Sequence, residues 1–110
     1  MFKLTPLTAA ILVMISAQAM ADDSLSTQNQ VGTANIAEVT QVAASFSTAT
    51  QTQLGEGNNA GITQNGSHNR AQISQNGNNN DASIDQAGTG LSSAVNQAGN
   101  GMSVSVKQYR

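Results

Sequence analysis

The chain has 110 residues, a formal net charge of −2 and no cysteine, which excludes a disulfide framework and a strongly basic nucleic-acid surface. Charged residues make up only 9% and aromatic residues 3%, so there is little material for an ordinary globular core. Ordering costs roughly 1.5 kcal/mol per residue, which leaves either disorder or stacked strands in which backbone bonds and amide ladders supplement the core.

The N-terminus reads first as a targeting segment. Lys3 gives a short basic start, Leu7 to Ile15 is apolar, and small residues follow. Ala19-Met20-Ala21 is an A-x-A cleavage site, with Ala17-Gln18-Ala19 as a second choice. This pattern predicts a secretory signal peptide over residues 1–21. The apolar run is too short to span a membrane. Residues 22–29 come next, have no periodicity, and are expected to form a flexible leader.

From residue 30 the chain repeats. Gln53, Gln64, Gln75, Gln86, Gln97 and Gln108 are spaced by eleven, and Gln30 and Gln41 carry the spacing upstream. Glycine follows two positions later at Gly32, Gly55, Gly66, Gly77, Gly88 and Gly99. Asparagine stands five positions after the glutamine at Asn35, Asn58, Asn69 and Asn80. A branched apolar residue stands nine positions after it at Val39, Ile62, Ile73, Ile84, Val95 and Val106. A period this strict marks a repeat architecture. The stretch from Gln41 to Gln53 is irregular. It is one residue longer, has Ala43 in place of the turn glycine, and contains Phe46. The sequence leaves its strand register open.

Positions five, seven, nine and eleven of each unit share one parity, so on a strand they share one face. Charges obey the same split. Glu38, Arg70, Asp81, Asp85 and Lys107 fall on the other parity, as expected if the first face is buried. An eleven-residue period can also signal a right-handed helical coiled coil. Here the apolar positions alternate by two, and Gly and Asn recur in every regular unit, which opposes helix. Glycine falls where the chain must turn. Two units then make a 22-residue strand-turn-strand-turn rung, and stacked rungs make an all-β, two-sheet β-solenoid over residues 30–110. The stack places Ile62, Ile84 and Val106 in one column and Ile73 and Val95 in the facing one. It also forms two glutamine ladders whose amides satisfy each other.

No catalytic constellation, cofactor motif or metal-ligand set is visible. The one histidine, His68, lies in a Gly-Ser-His-Asn turn with no Cys or second His to share a metal. No small-molecule substrate or nucleic acid is indicated. A small secreted β-solenoid could instead bind ice. That requires threonines repeated in register on the outer face, and these are not seen.

The repeated Q-x-G-x-x-N-x-A-x-I-x-Q pattern behind a secretory signal resembles the curlin family, the subunits of bacterial curli amyloid fibres. The resemblance covers Gln30 to Arg110. Within it, Asn69-Arg70-Ala71, the Asp81 to Gly88 stretch and the arginine-ended terminus are closer to the minor, nucleating subunit. The major subunit is the alternative. The resemblance implies a structural, non-enzymatic protein. It would pass through the periplasm and a dedicated outer-membrane channel with accessory factors, then join itself and other curlin subunits in extracellular fibres serving adhesion and biofilm matrix.

Overall fold

The computed structural model describes residues 13–19, 24–42 and 45–110. Among the described residues it is all strand, bend and turn. The strands are β1 (Val13–Ala19), β2 (Leu25–Thr33), β3 (Ile36–Val42), β4 (Thr48–Glu56), β5 (Asn59–Asn65), β6 (Arg70–Asn76), β7 (Asp81–Ala87), β8 (Ser92–Ala98) and β9 (Ser103–Tyr109). Odd strands form one sheet in the order β1-β3-β5-β7-β9, and even strands form the other in the order β2-β4-β6-β8. All pairings are parallel. The chain crosses from one sheet to the other at every arc, so the molecule is a two-sheet β-solenoid of about four turns.

The register follows the 22-residue rung. Ile62 pairs with Ile84 and Ile84 with Val106. Ile73 pairs with Val95 in the facing sheet. Their side chains meet between the sheets with Val39, Ala49, Ala60, Ala71 and Ala82 to form a thin apolar core. Strict alternation does this: in β7, Ala82, Ile84 and Gln86 are buried while Asp81 and Ser83 are exposed. Asp85 pairs with Lys107 on the outer face, where opposite charges on neighbouring strands are favourable by a few tenths of a kcal/mol.

Strand β2 begins at Leu25, ahead of the first repeat glutamine. The reason lies in Gln28, which pairs with Gln51 and donates to its side chain at 3.3 Å. Residues 22 and 23 lie outside the described residues. Gly32 and Gly55 fall within the last residues of β2 and β4, paired with each other. Asparagine at position five sits just before its strand, as Asn58 does before β5.

The irregular stretch is settled by its pairing. Ala49, Gln51 and Gln53 register with Ala71, Ile73 and Gln75. The extra residue is therefore absorbed in the arc between Val42 and Thr48, where Phe46 takes a left-handed φ of 55°. Ala43 lies outside the described residues. Of the segment read as a signal peptide, residues 1–12 and 20–21 also lie outside them. Val13–Ala19 pairs along its length with β3.

Candidate functional site

The most chemically specific feature is a pair of continuous glutamine ladders inside the solenoid. In one, Gln30 donates Nε2–H to Gln53 Oε1 at 2.7 Å, Gln53 to Gln75 at 2.9 Å, and Gln75 to Gln97 at 2.9 Å. In the other, Gln41 donates to Gln64 at 2.9 Å, Gln64 to Gln86 at 3.0 Å, and Gln86 to Gln108 at 3.0 Å. Gln41, Gln53, Gln64, Gln75, Gln86 and Gln97 are buried, whereas Gln30 and Gln108 in the end rungs are half-buried. Every bond runs the same way, from the N-terminal rung to the next.

From Gln53 to Gln108, an amide hydrogen of each ladder glutamine also ties the two sheets together. Gln53 donates to Ile36 O, Gln64 to Thr48 O, Gln75 to Asn59 O, Gln86 to Arg70 O, Gln97 to Asp81 O and Gln108 to Ser92 O. Each of these carbonyls opens a strand in the opposite sheet. The sequence indicated the ladder but not this cross-tie, because parity says which face a side chain takes and not what lies across the arc.

The asparagines link rung to rung through the backbone. Asn58 Nδ2 donates to Leu54 O and Gly77 O, and its Oδ1 accepts from Asn80 N at 3.1 Å. Asn35, Asn69 and Asn80 repeat the pattern against Gly55, Gly88 and Gly99. Each side chain thus clamps its own arc to the backbone of the next rung. Ser47 takes the same place in the irregular unit, accepting from Asn69 N. Leu91 and Met102 stand at the equivalent positions in the last rung and supply only their backbone N–H.

The glycines make the arcs stackable. All of Gly32, Gly55, Gly66, Gly77, Gly88 and Gly99 have positive φ. At Gly66 (φ +113°) an added Cβ would overlap the carbonyl oxygen of Gly88 in the next rung. No side chain satisfies both the backbone angle and that approach. Of the apolar positions, Val39, Ile62, Ile73, Ile84 and Val95 are buried, and Val106 in the last rung is half-buried.

Two side chains escaped the sequence reading. Gln51 is buried in the column that Ile73 and Val95 continue, and donates to Glu38 O at 2.9 Å. Its parity with Gln53 was a usable signal, hidden by the open register. Tyr109 donates its O–H to Asp85 Oδ2 at 2.8 Å across the outer face. That bond, with desolvation and the Asp85 charge, pushes the phenol above its ordinary value of 10.0. On the outer face, Thr40 pairs with Thr63, but their column continues as Asp85 and Lys107. No flat threonine array results.

Parallel rungs, amide ladders along the stack and a buried inner face define a cross-β solenoid built from a short repeat. The curlin-associated repeat matches residues 47–77 and 77–109, more than half of the chain, and the chain belongs to that family. No curated protein matches it.

Proposed function

We propose that this protein is the minor, nucleating subunit of a curli-like extracellular fibre, exported through the periplasm and an outer-membrane channel, and serving adhesion and biofilm matrix. One observation carries the assembly reading: among the described residues β8 and β9 are the last strands of their sheets, and their inward Gln97 and Gln108 are the last members of the two ladders. Strand edges of this kind are templates for further strands. The curlin-associated repeats support a fibre subunit that works by self-assembly and not by catalysis. Its functional residues are then the ladder glutamines, the asparagine clamps and the arc glycines.

The nucleating role is separable by experiment. The chain is added in substoichiometric amount to the same cell's other curlin, and the lag before fibre growth is followed. A nucleator shortens the lag steeply at low ratios. A chain that forms fibres alone and leaves the other curlin's lag unchanged is a major subunit, and the nucleating assignment falls.

A further inference from the structure

Three asparagines of the chain stand directly before glycine, in Asn65-Gly66, Asn76-Gly77 and Asn100-Gly101. This dipeptide loses its side-chain amide readily, because glycine has no side chain to obstruct attack by its own backbone nitrogen. The first two pairs hold equivalent places, with Asn65 closing β5 and Asn76 closing β6. Both asparagine side chains are exposed on the outer face. In other units the same place holds Val31-Gly32, Leu54-Gly55, Ala87-Gly88 and Ala98-Gly99. The fold therefore needs the glycine there, but not the asparagine.

The main chain at these two places is held from both sides. Gly66 N donates to Val42 O at 3.3 Å and Gly77 N to Leu54 O at 2.9 Å, in the preceding rung. Asn65 O accepts from Gly88 N at 2.8 Å and Asn76 O from Gly99 N at 2.9 Å, in the following rung. The same two carbonyls accept from the clamps, Asn69 Nδ2 and Asn80 Nδ2. The arcs pass so closely that a Cβ on Gly66 or Gly77 would overlap the carbonyl oxygen of Gly88 or Gly99. The glycine nitrogen that would attack is tied down in the stack, whereas an unfolded chain leaves it free.

We propose that Asn65 and Asn76 are spontaneous deamidation sites, silent in the stacked solenoid, that act in the unfolded chain as a clock retiring it from assembly. Gly66 N attacks Cγ of Asn65 and forms a new N–C bond. The Cγ–Nδ2 bond breaks, and ammonia leaves with the proton that the glycine N–H gives up. Water then opens the resulting cyclic imide at one of its two carbonyls. Opening at Cγ gives an ordinary aspartate. Opening at the α-carbonyl gives isoaspartate, in which the main chain runs through Cβ and Cγ and the α-carbonyl becomes a free carboxylate. The same steps convert Asn76 through Gly77 N.

The stack accepts one product and refuses the other. An ordinary aspartate keeps the main chain, and its carboxylate faces solvent as that of Asp81 does. Its strand neighbours are Val42 and Ala87 in one case, Leu54 and Ala98 in the other, none of them charged. Isoaspartate inserts a methylene into a main chain whose register is fixed by the strands on both sides. It also removes the carbonyl that Gly88 N and Asn69 Nδ2, or Gly99 N and Asn80 Nδ2, are bonded to, and a buried donor without its acceptor is costly. The arc after β5 or after β6 then cannot close on the next rung. Asn100-Gly101 is the contrast, since an added Cβ at Gly101 meets nothing within 4 Å and the arc has room to change. The chemistry and its protection rest on the solenoid, and the consequence for growth rests on the fibre reading above.

The test ages the full chain in mildly alkaline buffer, one portion unfolded in denaturant and one assembled. Peptide mapping by mass spectrometry reads conversion at each Asn-Gly pair, and an isoaspartate-specific methyltransferase counts the isoaspartyl product. Conversion at 65 and 76 should be roughly tenfold or more slower in the assembled portion, where it awaits local opening. Equal rates overturn the protection. The portion aged unfolded is then returned to assembly conditions. Fibres should take up unmodified and aspartyl chains and leave chains isoaspartyl at 65 or 76 in solution; isoaspartyl chains incorporated in proportion overturn the clock. Asn65→Ala with Asn76→Ala copies the Ala87-Gly88 and Ala98-Gly99 pairs. It should assemble like the native chain when fresh and still do so after ageing, and loss on ageing overturns the assignment to these two residues. Asn65→Asp with Asn76→Asp should also assemble, and its failure would show that charge, not the added methylene, excludes the chain. A fresh native chain that gains strand content by circular dichroism but no fibres refutes the fibre reading alone, and fresh and aged chains are then compared on strand content. A fresh chain that gains neither overturns both.

Discussion

Gln75 makes three hydrogen bonds from inside the stack. It accepts from Gln53, donates to Gln97 and donates to Asn59 O, each at 2.9 Å. Three residues earlier, Gln72 points outward and is exposed. Replacing Gln75 by Ala leaves buried partners unsatisfied at roughly 1–3 kcal/mol, whereas Gln72→Ala should stay within about 0.5 kcal/mol. Denaturant dissociation of fibres measures the difference. Equal midpoints for the two variants would show that the ladder contributes nothing. Tyr109 offers a second test at this scale. It is the chain's one tyrosine, so an ultraviolet titration reads it alone. Its hydrogen bond to Asp85 raises the phenol's pKa. A raised value means the neutral form is favoured when folded. The contact is therefore intact below pH 10.0 and is lost as pH climbs through the higher folded value. Asp85→Asn removes the carboxylate and should move the titration midpoint back down toward 10.0. An unmoved midpoint would mean the contact is absent in solution.

At the scale of strand and arc, the repeat works because each feature of the unit solves one local problem. Alternation gives β5 to β8 a buried face and a wet face. The arcs return the chain in few residues, which requires left-handed backbone at Ala34, Gly57, Asn79 and Gly101 on one side, and at Phe46, His68 and Gly90 on the other. Phe46 is the costly member of that set, since a bulky residue rarely takes positive φ. Its ring stacks on His68 at 5.4 Å between centroids, which offsets part of that cost. The arc glycines and the strand glycine should respond oppositely to alanine. Gly66→Ala forces a Cβ into the Gly88 carbonyl and should abolish stacking at that arc. Gly61, in the middle of β5, has open space around an added Cβ. Gly61→Ala should be neutral or stabilise by about 0.4–1 kcal/mol, through the unfolded chain. Fibre yield and dissociation midpoint of the two variants decide this, and a tolerated Gly66→Ala would contradict the close approach of the arcs.

For the whole molecule, the polarity of the ladders and the count of strands set the geometry of any assembly. Eight strands from β2 to β9 stack as four rungs, so a fibre should hold one chain per about 19 Å along its axis at the usual strand spacing. Mass per length by electron microscopy tests this directly. A value corresponding to about 24 Å per chain would mean that β1 is retained in the odd sheet and that the even sheet is interrupted. Diffraction from aligned fibres should give the strand spacing of about 4.8 Å along the axis, and a sheet spacing of about 10 Å across it.

The sequence alone determined the period, the two-sheet rung and the columns, because a parity of two and a spacing of 22 leave one arrangement for Ile62, Ile84 and Val106. Unpaired charge is costly to bury, so the placement of Glu38, Arg70, Asp81, Asp85 and Lys107 on one parity was equally legible. Contacts made across arcs required the tertiary structure. Only there did the cross-ties from Gln53 to Ile36 O and from Gln64 to Thr48 O come into view, together with the asparagine clamps on Gly77 and Gly99. The register of Gln51 also waited for the structure, since one extra residue can be absorbed in a strand or in an arc, and only the pairing with Ile73 chooses. The direction of the ladders was decided there too. A row of glutamines reads the same in both senses until each Nε2 is also held by a backbone carbonyl, which fixes which end of the stack gives hydrogen bonds and which end receives them.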